Sequence, residues 1–190
     1  MTKAAASVTR YCRFFRQSQA DTVLDYGAGT LRNALYLAQH GFTVYAADLP
    51  GQVEIQRGRP AARQLAGLLN VGELERSRLG VDLVLSTYVF NIIMENAEQH
   101  RYLDNVVANL RPGGYLLIEV RCRQQQTKCS AACSHHFKCA NCAKTFTHEE
   151  LDSLITPHGF RRISHYYHHH AVAAIYQRTG LPFKAGICRD

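Results

Sequence analysis

Apolar residues in this chain repeat with two periods. Short, continuous, β-branched runs at 22–25, 42–48, 81–87 and 115–120 have the pattern of strands buried on both faces. Between them, Leu31, Ala34, Leu35 and Ala38 recur at helical spacing over 31–40. Tyr102, Leu103, Val106, Val107 and Leu110 form one stripe over 98–110. Gly41 stands where a helix C-terminus favours glycine. Residues 9–16 read as a short basic helix carrying Tyr11, Phe14 and Phe15. The stretch 52–69 reads as helical with a break near 58–60, and 70–80 is ambiguous and could contain a short edge strand. Arg111-Pro112-Gly113-Gly114 reads as a tight turn. Thr147 is placed to cap a helix over 147–156, with Glu150 at the capping-box position. Beyond Gly159-Phe160, residues 161–178 read as two strands joined near His168, His169 and His170. Strands alternating with helices predict an α/β fold with a doubly wound, mostly parallel sheet and an antiparallel C-terminal strand. No repeat or linker divides it, so residues 1–190 are expected to form a single domain.

One stretch breaks the rhythm. Residues 121–146 are polar and rich in Cys and His, the pattern of an insert or lid. Five of the chain's seven cysteines lie from Cys122 to Cys142. A secreted disulfide protein would ordinarily be smaller, and 1–18 lacks an apolar signal core, so a metal is the better explanation for the cluster. Cys129, Cys133, Cys139 and Cys142 offer four thiolates for tetrahedral zinc, with Cys122, His135 and His136 as alternates. Zinc binding supplies about 10–16 kcal/mol in small finger peptides, enough to order a segment with no core of its own. Free or redox-active thiols are the competing reading.

Composition narrows the setting. Hydrophobic residues make up 46% of the chain, as in a globular domain. No run approaches the roughly 20 apolar residues that cross a bilayer. A cytoplasmic protein with no membrane role is expected. The net charge of +7 permits a polyanionic partner without requiring one, because the arginines are scattered in small groups.

The candidate chemistry begins where the first strand runs into Asp25-Tyr26-Gly27-Ala28-Gly29-Thr30. In an open parallel sheet, ligands bind beyond the carboxyl ends of the strands at the switch point. Gly27 and Gly29 would let the backbone turn tightly against a ligand. Asp48 ends the second strand, just before Leu49, where a carboxylate can accept hydrogen bonds from both hydroxyls of a ribose. A dinucleotide fits less well. Arg32 occupies the third fingerprint position, where a small residue is needed, and an acid at Asp25 would repel a pyrophosphate. That acid suits the amino group and sulfonium of S-adenosylmethionine (SAM).

The motifs together resemble the class I SAM-dependent methyltransferases. Residues 23–30 are similar to the family's first motif, 44–48 to its second, 82–89 to its fourth, and 110–118 to its loop and fifth strand. The superfamily often has a third glycine where Leu31 stands. The resemblance implies a Rossmann-like fold. It implies SAM bound by Asp25, Gly27, Gly29, Thr30, Asp48, Leu49 and Ser86. A narrower likeness, carried by residues 88–93, Arg101 and 119–121, is to methyltransferases associated with DNA phosphorothioation and defence loci.

Methyl transfer is an in-line displacement, and alignment of donor and acceptor alone supplies about 7–11 kcal/mol. Amino-methylating DNA enzymes carry Pro-Pro-Tyr/Phe after the fourth strand, and this chain does not. Tyr88, Asn91 and His148 are the candidates to line an acceptor pocket, and no catalytic base is assigned. The expectation is a SAM-dependent methyltransferase with a zinc-stabilised lid, acting on a small molecule or nucleic acid. The alternative is a non-catalytic module of the same fold that binds nucleic acid or a protein partner. The sequence carries no signal of oligomeric state.

Overall fold

The apolar runs pair into one seven-stranded sheet in the computed structural model, which describes residues 3–122 and 143–180. The strands are β1 Thr22–Tyr26, β2 Thr43–Asp48, β3 Gly67–Asn70, β4 Val81–Thr87, β5 Leu110–Arg121, β6 Phe160–His168 and β7 Ala171–Arg178. Their spatial order is β3-β2-β1-β4-β5-β7-β6. From β3 across to β5 the pairing is parallel; β7 runs antiparallel to both β5 and β6. The chain winds outward from β1 to β3 and then returns to β4, so the switch point lies between β1 and β4.

Among the described residues six α-helices cover the two faces: α1 Ala6–Gln17, α2 Arg32–Gln39, α3 Pro50–Arg57, α4 Val71–Arg76, α5 Asn96–Asn109 and α6 His148–Ile155. Neighbouring strand residues separate into two layers because successive side chains point to opposite faces. Val23 belongs to the same core layer as Val8 and Phe15 of α1 and Leu37 of α2. Leu24 belongs to the other layer, with Leu103 and Val106 of α5 and Leu151 of α6. Each such fully buried side chain contributes about 1.5–3 kcal/mol of transfer free energy.

Four sequence expectations change. The helix expected over 52–69 stops at Arg57. Arg59 precedes Pro60 and is extended (φ −92°, ψ 130°), as the proline ring requires of the residue before it. A short 3-10 turn follows, and the edge strand is β3, with Leu68 in one layer and Leu69 in the other. The ambiguous 70–80 stretch is therefore not the strand. Asn70 caps α4 in a capping box with Glu73, and this local polar exchange favours a helix start. Residues 111–114 are not a separate turn but the irregular opening of β5, where the register against β4 shifts between Val81 and Leu83. Here Arg111 pairs with Asp82, whose Oδ2 also accepts from the Thr22 amide at 2.7 Å. The basic helix begins at Ala6, three residues earlier than its aromatic pattern suggested. Thr147 and Glu150 form the expected capping box on α6.

Candidate active site

The carboxyl ends of β1, β2 and β4 open into a crevice of about 680 Å³. Its floor is the glycine loop. The amides of Gly27 and Ala28 both donate to the Ala47 carbonyl, at 2.7 and 3.1 Å, binding the loop to β2. Gly27 has φ +87°, and a Cβ there would lie 2.1 Å from Val89 Cγ2. Gly29 has φ +52°, and a Cβ there would meet nothing within 4 Å, so this part of the loop faces open space. Leu31, at the position where the superfamily often has glycine, is also left-handed (φ 65°). That conformation costs a non-glycine residue about 1–2 kcal/mol. Complete burial of the leucine side chain among α1 and α2 residues offsets it.

Asp48 stands on the crevice wall beside Leu49. Its Oδ2 accepts from the Gly29 amide at 2.6 Å and its Oδ1 from the Leu49 amide at 2.7 Å. Gln52 Nε2 donates to the Gly29 carbonyl at 2.8 Å, so the loop is held from both sides. Each carboxylate oxygen has a second lone pair, so Asp48 keeps capacity for two further donors.

Asp25 is placed differently from the expectation that it faces the ligand. It lies wholly buried beneath the loop, with Oδ2 accepting from the Ala34 amide at 3.1 Å and Oδ1 without a partner. Burial pushes its carboxyl up to about 7, with the nearby Asp48 charge adding to the rise. Ser86 is also buried, accepting from the Tyr102 hydroxyl at 2.9 Å, and Thr30 is exposed; neither is part of the crevice wall.

The rest of the lining comes mostly from the ends of β1 and β4, the residues just beyond β4, and α5. Tyr26 and Tyr102 stack at 4.2 Å, and Tyr88, Val89 and Ile92 continue the surface. At the rim, Arg101 pairs with Glu75 (3.1 Å) and Glu98 (3.7 Å). Tyr88 is left-handed (φ 59°), a conformation uncommon for an aromatic residue, and its amide donates to the Glu119 carbonyl at 2.7 Å. Burial and a hydrogen bond to the Glu119 carboxylate push its phenol well above the ordinary tyrosine range. Of the other acceptor-pocket candidates, Asn91 is buried with Oδ1 unpartnered. His148 sits at the start of α6, stacked on His165 at 3.8 Å. Neither belongs to the described wall.

Glu119, whose carbonyl accepts from the Tyr88 amide, is not among the residues the sequence singled out for the site. It is 1% exposed, the one acid in the apolar run of β5, and that isolation was the available signal. Ser7 Oγ donates to its Oε2, and His168 Nε2 lies 3.1 Å from its Oε1.

Cys129, Cys133, Cys139, Cys142, His135 and His136 lie outside the described residues. Cys122, the alternate within them, belongs to the core layer of α5 and α6, where burial raises its thiol and disfavours the thiolate a metal needs. Among the described residues no group of three or more His, Cys, Asp or Glu side chains could hold a metal ion. Nor, among them, is any helix long and apolar enough to cross a membrane.

The profile of a family described as "Methyltransferase domain" matches residues 2–181. The chain belongs to this methyltransferase family. Solved structures share the methyltransferase's fold at low identity. Human N-acetylserotonin methyltransferase in complex with SAM superposes with a TM-score of 0.68 at 15% identity, over 92% of this chain and 52% of the human one. Burkholderia thailandensis 1,6-didemethyltoxoflavin-N1-methyltransferase gives 0.64 at 19%, over 92% and 79%. A SAM-dependent methyltransferase from Methanosarcina mazei gives 0.66 at 16%, over 94% and 99%. Against several such structures, the human one included, this chain spans about half the other chain's length. No curated protein sequence matches it significantly. The match is to the broad family, and the narrower likeness to phosphorothioation-associated proteins rests on sequence motifs alone.

Proposed function

We propose that this methyltransferase moves the methyl group of SAM to a small-molecule acceptor bound in the same crevice. The observation that carries the reading is Asp48, a strand-end carboxylate on the crevice wall that organises the glycine loop and keeps acceptor capacity for a ribose. The residues fit the cofactor in two further respects. Gly29 presents an open backbone surface, and the crevice volume falls within the roughly 300–1,000 Å³ typical of ligand sites. The cofactor residues are Gly27, Gly29, Asp48 and Leu49, with Asp25 setting the loop from below.

When bound, SAM supplies a methyl group on a sulfonium, which leaves as a neutral thioether. The chain's part is alignment and exclusion of water. Asp48 and the loop fix the donor, and Tyr88, Val89 and the Tyr26–Tyr102 stack bound the space for the acceptor. Support for a small acceptor comes from proteins of the same fold. The Burkholderia enzyme holds 1,6-didemethyltoxoflavin with S-adenosylhomocysteine (SAH), and an O-methyltransferase from Planctomyces limnophilus holds apigenin. A zinc ion on Cys129, Cys133, Cys139 and Cys142 belongs to this proposal on spacing alone. Elemental analysis of protein purified without chelators is expected to give near one zinc per chain, and a trace amount would refute it.

Calorimetric titration with SAM and SAH tests the main reading. Saturable binding of both at one site is expected. No binding at millimolar ligand would overturn it.

A further inference from the structure

Thr87 ends β4 on the crevice lining, and its hydroxyl is tied to α1 through a short chain of hydrogen bonds. The backbone amide of Ala5, the N-cap residue of α1, donates to Asn33 Oδ1 at 2.8 Å. An amide N–H can only donate, so the carbonyl end of the Asn33 side chain must face Ala5. The Nδ2 end is thereby turned to Thr87 and donates to its Oγ1 at 2.8 Å. Ala5, Asn33 and Thr87 are all buried.

These directions decide where the Thr87 proton can go. A hydroxyl has one proton and two lone pairs. Asn33 occupies one lone pair, and its Nδ2 cannot accept in return. Among the described residues, Thr87 Oγ1 makes no other hydrogen bond. The proton is left over on a residue that is 8% exposed and lines the crevice. A strand end that needed only β-branched volume would be served by valine, without the cost of an unused buried donor. Asn33 adds to that cost, because it is a polar side chain buried in the first turn of α2.

Strand order places Thr87 relative to Asp48. β1 runs between β2 and β4. Asp48 closes β2 and Thr87 closes β4, so two strand spacings put them about 10 Å apart across the glycine loop. A SAM molecule with its ribose at Asp48, laid across the loop, brings its methionine half to Thr87. That half carries an ammonium and a sulfonium, cations that do not accept a hydrogen bond, and one carboxylate, which does.

We propose that Thr87 donates to the carboxylate of bound SAM, and that Asn33 is the positioning residue that aims it. This inference rests on the SAM-dependent reading of the crevice. Thr87 touches the cofactor, Asn33 acts through Thr87, and the docked start of α1 fixes Asn33. The contact supplies no bond-breaking chemistry. It holds the methionine half, and with it the direction of the methyl group.

The test is calorimetric, on the full chain, with two probes. One is SAH. The other is its decarboxylated analogue, 5′-(3-aminopropylthio)-5′-deoxyadenosine, which keeps the ammonium and lacks the carboxylate. Thr87→Val is expected to weaken SAH about tenfold or more and the analogue less than about twofold. Thr87→Ser keeps the hydroxyl and is expected to stay within about threefold of wild type for SAH. Asn33→Asp keeps an oxygen for the Ala5 amide but puts a second oxygen in place of Nδ2, which draws the Thr87 proton away from the crevice. It is expected to weaken SAH as Thr87→Val does. The double variant is expected to lose no more than Thr87→Val alone, because the two residues act as one unit. Thermal unfolding of each variant separates loss of the contact from loss of the fold. If Asn33→Asp does not fold, or the analogue binds too weakly to titrate, Thr87→Val against Thr87→Ser carries the test. Equal weakening of both probes by Thr87→Val, no weakening of either, or no recovery in Thr87→Ser overturns the carboxylate contact. An Asn33→Asp protein with unchanged SAH affinity, or additive losses in the double variant, overturns Asn33 as the residue that aims it. Failure of wild type to bind SAH overturns the SAM-dependent reading itself.

Discussion

The two walls of the crevice are built on different plans. On the Asp48 side, the parts are backbone and one carboxylate, drawn from residues that lie close in sequence. Gly27, Ala28 and Gly29 meet Ala47, Asp48 and Gln52, all between β1 and the first turn of α3. Behind Tyr88, the parts are side chains from across the chain. Ser7 reaches Glu119 over 112 residues, and Glu119 meets His168 from a hairpin at the far end of the sheet. A wall made of backbone tolerates few side chains but imposes little chemistry. A wall made of assembled side chains can be re-equipped by single substitutions while the fold stands. Two structures of the same fold hold different small molecules, 1,6-didemethyltoxoflavin in one and apigenin in the other.

Gly27→Ala probes the seam between the walls and carries the largest expected effect. The new methyl group would collide with Val89, and φ +87° is itself unfavourable for alanine. Overpacking and left-handed strain together predict a loss of about 2–5 kcal/mol of stability, read by urea unfolding. Adding Val89→Ala should return the steric share and leave the backbone share of about 1–2 kcal/mol. If the double variant is no more stable than the single, the walls do not meet at this contact.

Asp48→Ala comes next in size. Losing charge-assisted hydrogen bonds to a bound ribose costs about 1.5–3 kcal/mol, a drop of roughly tenfold to 150-fold in SAH affinity by calorimetry. Because Asp48 also holds the Gly29 amide, Asp48→Asn should lose less, since its carbonyl oxygen can still accept that bond. Equal losses in the two variants would mean that Asp48 only shapes the loop.

The same contrast explains what the sequence disclosed. Strand periodicity, the glycine loop and the acid at the end of β2 are local patterns, so the sheet, its switch point and the meeting of the loop with Asp48 were legible from the residues. Leu68 and Leu69 misled for a local reason as well: two adjacent apolar residues fit a helix as readily as a strand buried on both faces. Asp25 was legible as an important acid but not in its orientation. Whether such a side chain faces the ligand or the helix above it depends on loop dihedrals that composition does not encode. Glu119, His168 and Ser7 share no spacing at all. Their meeting is a product of sheet order, and only the lone acid within Leu116-Leu117-Ile118-Glu119-Val120 hinted at it.

Asp25→Asn separates the loop's foundation from its surface. The folded-state carboxyl sits near 7 against an ordinary 3.8, chiefly through burial. An acid raised in this way keeps a proton that the unfolded chain has already released. Its contribution to stability therefore falls as pH rises from about 4 to about 7, by at most about 1.4 kcal/mol per unit. Wild-type stability should decline across that window and Asp25→Asn should decline less. A parallel pH dependence in both proteins would show that Asp25 is ionised in the fold. It would then need a partner for the oxygen that has none here.

The smallest effect is the most useful control. Thr147 caps α6 through the Glu150 amide at 3.3 Å, and Glu150 returns a bond from the Thr147 amide at 2.8 Å. Thr147→Ala should cost about 1 kcal/mol, because one helix-end amide loses its acceptor. The residue lies outside the crevice wall, and α6 packs on the sheet face through Leu151 and Ile155. Stability should therefore drop while SAH affinity stays unchanged. Set beside Asp48→Ala, where affinity drops more than stability, it tests whether binding and folding are separable here. A Thr147→Ala protein that binds SAH several-fold more weakly would mean that α6 is coupled to the cofactor wall. The division between a backbone-built side and a side-chain-built side would then fail at the one place where it predicts independence.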